Sequence, residues 1–113
     1  MVAMIYEWRV YTANEGCFER MKQRFVDHTA RILARHGIAL LGLFEAPDGD
    51  GKLYYLTAHA DEASRDNAWA AFKADEEWQT IKRESETDGP LLSDQSALTL
   101  AAVIAPPLPD TAR

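Results

Sequence analysis

The chain has 113 residues, the size of one domain, and its 47% hydrophobic and 27% charged residues are ordinary for a globular protein and exclude a largely disordered one. Its formal net charge is −6, so it would repel nucleic-acid phosphates, and we expect no nucleic-acid partner. The N-terminal stretch MVAMIYEWRV has no basic segment and no long apolar run, so we expect no signal peptide, no membrane association and a cytoplasmic protein.

The first predicted element is a strand over residues 4–13, MIYEWRVYTA, because aromatic and β-branched residues dominate it. Side chains alternate between the two faces of a strand. The face that we expect to point at the core carries Tyr6, Trp8 and Val10. The other face mixes apolar and charged side chains, and it carries Ile5, Glu7, Arg9 and Tyr11.

A helix is predicted next, with Asn14 as its N-cap and Gly37 as the left-handed residue that ends it. Six residues recur near helical spacing on its inner face: Phe18, Met21, Phe25, His28, Ile32 and Leu33. We therefore expect His28 to point at the sheet. Cys17 is the only cysteine, which fits a reducing compartment, and we interpret it as a half-buried structural residue.

Two strands follow, over residues 38–46 and 52–60, joined by the turn sequence PDGDG. They are typical of a β-hairpin. A helical region follows over residues 61–89 and divides into two pieces, with Asp61 and Asp75 as their N-caps.

The last predicted strand covers residues 96–105, SALTLAAVIA. The remaining stretch, PPLPDTAR, contains too much proline to pack. We therefore expect a single domain over residues 1–105 and a flexible, proline-rich tail over residues 106–113.

The order of elements, βαββαβ, predicts an α+β, ferredoxin-like fold in which both helical regions cover one face of a four-stranded antiparallel sheet. The other face is left bare and apolar, which soluble monomers rarely tolerate. We expect a homodimer in which this sheet face packs on that of a second copy. Glu7 and Arg9 would then pair at that interface, or form a solvated pair at its rim.

Four segments resemble the NIPSNAP family of the dimeric α+β-barrel superfamily: YEWRVYTANEG, FVDHTARILARHGIALLGLF, YYLTAHADEASRDNAWAAFKADEEWQ and ESETDGPL. Together they cover nearly the whole domain and leave out the tail. One departure is Leu43-Phe44, where relatives often have two aromatic residues after the glycine. The resemblance implies a ferredoxin-like subunit paired into a dimeric α+β barrel, with poorly defined activity. The wider superfamily includes cofactor-free monooxygenases, isomerases, cyclases and haem-degrading enzymes.

In this architecture a ligand pocket lies between the helices and the sheet of each subunit. Aromatic walls with a few polar groups are typical of small-molecule sites. The candidate substrate-binding residues are Tyr6, Trp8, Phe25, Tyr55, His59, Trp69, Phe72 and Trp78. The same side chains would also suit a dense core, and the sequence does not choose between the two. Arg9 is a further candidate, either for an anionic substrate or for an ion pair.

His28 is the candidate catalytic residue, because imidazole exchanges protons near neutral pH. A structural histidine and a metal or haem ligand are the alternatives. His36 lies at the predicted end of the same helix, and we interpret it as structural. The sequence contains no HExxH or CxxC motif, so we expect no metal and no cofactor.

The sequence thus favours a small dimeric protein that binds or transforms a small apolar or aromatic metabolite without a metal, in the manner of a monooxygenase, isomerase or cyclase. The alternative is a non-catalytic dimeric module that binds a ligand or a protein. Haem binding is a third hypothesis, which rests on the superfamily resemblance alone.

Overall fold

Four strands and two helical regions follow one another in the order β-α-β-β-α-β in a computed structural model, which describes residues 4–107. The strands are β1 (Ile5–Ala13), β2 (Ala39–Glu45), β3 (Lys52–His59) and β4 (Leu92–Leu100). They form one antiparallel sheet in the order β2-β3-β1-β4. The predicted ferredoxin-like α+β fold is confirmed.

The first long helix consists of three consecutive segments: α1 (Phe18–Arg24), a π-helical segment (Phe25–Thr29) and α2 (Ala30–Arg35). The π-helical segment was not predicted. The prediction that Asn14 caps this helix is wrong, because its side-chain amide donates to the carbonyl oxygens of Pro90 and Leu92 at 2.8 and 3.2 Å. It joins the end of β1 to the start of β4.

The second helical region is divided as predicted, into α3 (Glu62–Ala74) and α4 (Glu76–Ser85). The Asp61 carboxylate accepts a hydrogen bond from the backbone N–H of Ser64 at 2.8 Å. The Asp75 carboxylate accepts one from the backbone N–H of Trp78 at 3.0 Å. Both predicted N-caps are confirmed, and Asp75, extended at ψ 123°, makes the sharp bend between the two helices.

The core lies between the helices and one face of the sheet. It contains apolar and aromatic side chains from every layer: Cys17, Met21, Phe25, Ile32, Leu33, Ile38, Leu53, Tyr55, Trp69, Phe72 and Leu91. Cys17 is 9% exposed, and its sulfur accepts a hydrogen bond from Arg20 at 3.3 Å, which agrees with a structural role. The helices owe their positions to this burial.

The two faces of β1 are the reverse of those predicted. Arg9 pairs in register with Tyr55, and Glu7 with Thr57, so these charged residues lie under the helices. Trp8 lies on the open face, where its ring stacks on Tyr54 at a centroid distance of 6.0 Å. The prediction chose the more apolar set for the core. The charged set occupies it because Glu7 and Arg9 pair at 3.1 Å and need no water.

The open face of the sheet is largely apolar, as expected. Apart from residues near the hairpin end, it carries Tyr6, Trp8 and Val10 from β1, Tyr54, Leu56 and Ala58 from β3, Gly42 and Phe44 from β2, and Ser96, Leu98 and Leu100 from β4. Phe44 and Leu98 are more than half exposed, at 53% and 58%, whereas Tyr6 and Ala58 are buried, at 5% and 2%. This set is called the open face below.

The last strand begins and ends earlier in the sequence than predicted, at Leu92–Leu100 instead of residues 96–105, because it pairs with β1 and ends beside the start of β1. Tyr6 pairs with Leu100, and β1 begins at Ile5, so residues 101–107 have no strand beside them. They form no regular structure, and Val103 and Ile104 are almost fully exposed. Most of the predicted tail, residues 108–113, lies outside the described part of the chain. Within residues 4–107, no helix has the length and apolar character needed to cross a membrane.

Candidate functional site

A cavity of about 430 Å³ opens between the sheet and the helices. Side chains from β1, β4, the first long helix, α3 and α4 line it. Four of the predicted binding residues are among them: Phe25, Trp69, Phe72 and Trp78. The cavity lies between the helices and the sheet, and the binding of a ligand there stays a prediction.

One wall of the cavity is aromatic. The ring of Phe72 lies 4.9 Å from that of Trp78 and 5.6 Å from that of Trp69, measured between centroids. Trp69 and Phe72 share one face of α3 because they are three residues apart. Trp78 joins them because the chain bends at Asp75. The planes of Phe72 and Trp78 differ by 33°, so these two rings suit a planar ligand, whereas Trp69 stands at 82° to Phe72.

Arg9 is a fixed cation in the cavity. Its guanidinium carbon lies 4.0 Å from the centroid of the Trp69 ring. Its Nε donates to the hydroxyl of Tyr55 at 3.0 Å, and its Nη1 donates to Glu7 at 3.1 Å. Burial acts to lower the pKa of Arg9, but Tyr55, Tyr11 and Glu7 together raise it above the ordinary value, so Arg9 stays charged.

Two tyrosines continue the hydrogen bonds of Arg9. The hydroxyl of Tyr55 donates to that of Tyr11 at 2.7 Å. Tyr55 is fully buried, and this burial raises its pKa well above the ordinary value, so the hydroxyl stays protonated. Tyr11 is half-buried and lines the cavity directly.

Glu7 and His59 support the cavity without lining it. Oε1 of Glu7 accepts a hydrogen bond from the indole N–H of Trp69 at 2.8 Å, in addition to the one from Arg9. Nε2 of His59 lies 3.8 Å from the same oxygen and 2.9 Å from the hydroxyl of Thr57. Burial lowers the pKa of His59, and the positive charges of Arg65 and Arg9 lower it too. Glu7 acts in the opposite direction, but the pKa remains below the ordinary value. His59 is therefore neutral at pH 7.

The cavity is positively charged although the chain is acidic overall. Four cationic side chains line it, Arg9, Arg24, Lys73 and Lys82, against one lining carboxylate, Glu86, and Glu7 behind the lining, which pairs with Arg9 at 3.1 Å. Glu86 pairs with Arg24 at 2.8 Å and with Lys82 at 3.3 Å. Burial acts to raise the pKa of Glu86, but Arg24 and Lys82 lower it by more. The pKa therefore lies below the ordinary value, and Glu86 is ionised. Among residues 4–107, Lys73 forms no ion pair.

His28 lies outside this cavity, so the expectation that it points at the sheet is wrong. In the π-helical segment the backbone N–H of Ala30 donates to the carbonyl of Phe25, five residues back, which widens the turn by one residue. Thr29, only 3% exposed, consequently follows Phe25 on the inner face. Nδ1 of His28 lies 3.2 Å from Nη2 of Arg31, beside a shallow groove between the first long helix and α4. A catalytic role for His28 stays a prediction.

The remaining predicted binding residues are divided. Tyr55 contributes through its hydroxyl, and His59 supports Glu7, whereas Tyr6 and Trp8 belong to the open face. Sequence reasoning missed Tyr11, Arg24, Lys73 and Lys82. Tyr11 could have been found, because it shares the face of β1 with Arg9. Within the described residues, no group of three His, Cys, Asp or Glu side chains is arranged to hold a metal ion.

A family model and solved structures both match nearly the whole chain, and both point to one family. The NIPSNAP family model matches residues 6–106. The fold is similar to a structure of an uncharacterised NIPSNAP-like domain protein from Burkholderia xenovorans, at 26% identity and a TM-score of 0.80, covering 96% of this chain and 94% of that one. It is also similar to a NIPSNAP family protein of unknown function from Agrobacterium tumefaciens strain C58, at 21% identity and a TM-score of 0.77, covering 94% of each chain.

A more distant similarity links the chain to a putative antibiotic biosynthesis monooxygenase from Chloroflexus aurantiacus. The two share 11% identity at a TM-score of 0.65, covering 95% of this chain and 100% of the other. Identity this low shows a common fold alone. No protein of curated function matches the chain.

Proposed function

The chain belongs to the NIPSNAP family, and on that premise we propose that it binds a small, planar, acidic molecule in the cavity between its helices and its sheet. The observation that carries the proposal is an aromatic wall and four cationic side chains in one cavity of about 430 Å³. Small-molecule sites commonly have this size and combine apolar walls with a few placed polar groups.

The charge of the cavity favours an acid over a neutral or basic ligand. Arg9 cannot lose its charge at any physiological pH, and it is fixed by three neighbours, so it needs no reorganisation to meet an anion. Lys73 adds a cation with no ion pair among residues 4–107. A planar acid would place its rings against Phe72 and Trp78 and its negative charge toward these two cations.

The ligand would be transformed without a metal, as in a monooxygenase, isomerase or cyclase. Support for this comes from the fold shared with the putative monooxygenase of Chloroflexus aurantiacus. The competing proposal is a non-catalytic module that only binds its ligand. It is favoured by Glu86, because the one carboxylate that lines the cavity is held by two cations and is not free to accept a proton.

A second copy of the chain would cover the open face, giving the homodimer. Its central part, around Trp8, Leu56 and Leu98, carries no charged side chain, so the same patch can pack on itself around a two-fold axis. Exposed apolar surface of this kind is unusual on a monomer. A cytoplasmic location fits Cys17, which is buried and unpaired.

The three tryptophans allow a direct test of where a ligand binds. Trp69 and Trp78 line the cavity, whereas Trp8 lies on the open face. The probes are aromatic carboxylic acids and phenols of one to three rings, titrated while tryptophan fluorescence is recorded. We expect at least one probe to quench the variant Trp8→Phe in a saturable manner.

The control is the double variant Trp69→Phe/Trp78→Phe, in which only Trp8 emits. Its fluorescence should not respond to the same probe. Saturable quenching of Trp8 alone would move the ligand to the open face and overturn the proposal. So would the absence of saturable quenching across the whole set of probes.

A further inference from the structure

We propose that Tyr11 recognises a single oxygen of the ligand, and that this oxygen is enolic or phenolic and is bound as its anion. The inference rests on the proposed function, because it specifies the ligand of the same cavity. It follows from the direction in which three hydrogen bonds must run.

The direction is fixed by Arg9, which can only donate. Its Nε donates to the hydroxyl oxygen of Tyr55 at 3.0 Å. The single proton of Tyr55 then needs an acceptor, and Tyr55 is fully buried with only the oxygen of Tyr11, at 2.7 Å, in reach among the described residues. If Tyr11 donated to Tyr55 instead, that buried proton would have no acceptor, which is costly. Tyr55 is therefore the donor and Tyr11 the acceptor.

The proton of Tyr11 is consequently available to a ligand. Among residues 4–107 no protein atom accepts a hydrogen bond from this hydroxyl, and Tyr11 lines the cavity. Each donor in the series Arg9, Tyr55, Tyr11 polarises the next, so a positive charge stands behind the last hydroxyl. Such a donor favours an oxygen with negative charge.

The geometry of Arg9 distinguishes a single oxygen from a carboxylate. Arginine binds carboxylates best through two neighbouring N–H groups. In Arg9, Nε donates to Tyr55, so the edge formed by Nε and Nη2 cannot bind a carboxylate through both donors, and Nη1 already donates one of its two N–H groups to Glu7. An enolate or phenolate needs one strong donor and a nearby positive charge, and Tyr11 and Arg9 supply these. Its conjugated ring system also matches the aromatic wall.

The test uses 4-nitro-1-naphthol, whose visible absorption changes when it ionises. The pH at which the bound probe is half ionised is measured in the full chain and compared with the free probe. We expect the wild type to bind the anion at least about tenfold more tightly than the neutral form, which lowers this midpoint by about one pH unit. Tyr11→Phe keeps the ring and removes the hydroxyl, and it should reverse at least about half of that shift.

The matched control is Tyr54→Phe, because Tyr54 lies next to Tyr55 on the opposite face and its hydroxyl bonds, among residues 4–107, to Asp50 alone. It should leave the midpoint unchanged. Tyr55→Phe, which disconnects Arg9 from Tyr11, should give a partial reversal. A bound probe whose midpoint is the same in Tyr11→Phe and wild type would overturn the inference and leave the proposed function standing.

Two further outcomes separate the inference from the proposed function. Binding of aromatic carboxylates without any binding of the naphthol would overturn the inference in favour of a carboxylate ligand. Failure of all aromatic probes would overturn the proposed function itself.

Discussion

Arg9 and Trp69 lie face to face, with the guanidinium carbon 4.0 Å from the ring centroid, and one oxygen of Glu7 accepts a hydrogen bond from both. Residues from β1 and α3 are thereby fixed to each other through a charge that is shielded from water. A cation over an aromatic ring is strongest when desolvated in this way. These three side chains fix the shape of this part of the cavity wall.

Glu7→Gln should therefore destabilise the fold although it preserves the shape of the side chain. It removes the counter-charge of a largely buried guanidinium, and we expect the free energy of unfolding to fall by about 2 kcal/mol in urea denaturation. Glu45→Gln is the control, because Glu45 pairs with Lys22 at the surface. It should change the free energy by less than about 0.5 kcal/mol. Equal effects of the two variants would contradict the role assigned to Glu7.

Tyr55→Phe should destabilise the fold more than Tyr54→Phe. The first change removes a fully buried hydroxyl that bonds to both Arg9 and Tyr11, with an expected loss of about 1–2 kcal/mol. The second removes a hydroxyl that bonds to Asp50 near the hairpin turn. Urea denaturation of both variants measures the difference. A larger loss for Tyr54→Phe would show that the hydroxyl series under the helices contributes little.

Lys73→Gln should weaken the binding of an aromatic acid by about threefold to tenfold, with a larger effect at low ionic strength. The reason is that Lys73 lines the cavity and has no ion-pair partner among residues 4–107. Lys22→Gln removes the same charge from a side chain that does not line the cavity and pairs with Glu45 at 2.9 Å. Fluorescence titration gives both dissociation constants. Equal weakening by the two changes would mean that only the net charge of the chain matters.

His59 should make the fold less stable as the pH falls below about 6.5. The unfolded chain binds a proton at the ordinary histidine pKa of 6.5, whereas burial lowers the pKa of His59 in the folded chain. Its contribution is therefore fully present above pH 6.5 and is lost as the pH falls toward the folded value. The thermal midpoint of the wild type should decrease between pH 7 and pH 5, and His59→Gln should show a smaller decrease. An unchanged pH dependence in His59→Gln would remove His59 as a cause.

Leu98→Glu should abolish self-association if a second copy covers the open face. The change places a charge in the centre of an apolar patch, where packing would bury it without a partner. Val26→Glu is a closely matched control, because Val26 is 57% exposed and Leu98 58%, but Val26 lies on the first long helix. Analytical ultracentrifugation measures the mass of each variant. A wild-type chain that sediments as a monomer would contradict the dimer directly.

Sequence patterns predicted the elements well because local signals specify them. Asp61 and Asp75 cap helices in the structure as they do in the pattern, and the turn PDGDG joins β2 to β3. The face of β1 was predicted wrongly because hydrophobicity assigns Trp8 to the core. Glu7 and Arg9 occupy that side instead, since each satisfies the other and Trp69 completes the set. A pairing of this kind depends on α3, which is distant in sequence.

The site was harder to predict than the fold for two physical reasons. The first is the π-helical segment, which no motif in the sequence predicts. In this segment His28 points away from the sheet. The second is that the four cations of the cavity come from four separate elements. These residues, Arg9, Arg24, Lys73 and Lys82, meet only in the folded chain, so no spacing in the sequence reveals a positive cavity.

The wide turn at Phe25–Thr29 rotates the residues after it, about the helix axis, relative to the residues before it. Up to and including its first residue, Met21, Arg24 and Phe25 line the cavity, and downstream of it Ile32 and Leu33 are completely buried in the core. In an uninterrupted α-helix, the direction in which the first group points would fix the direction of the second, because each residue adds the same rotation. The hydrogen bond from Ala30 to Phe25 spans five residues instead of four, and this one change determines which side chains of the helix face the cavity.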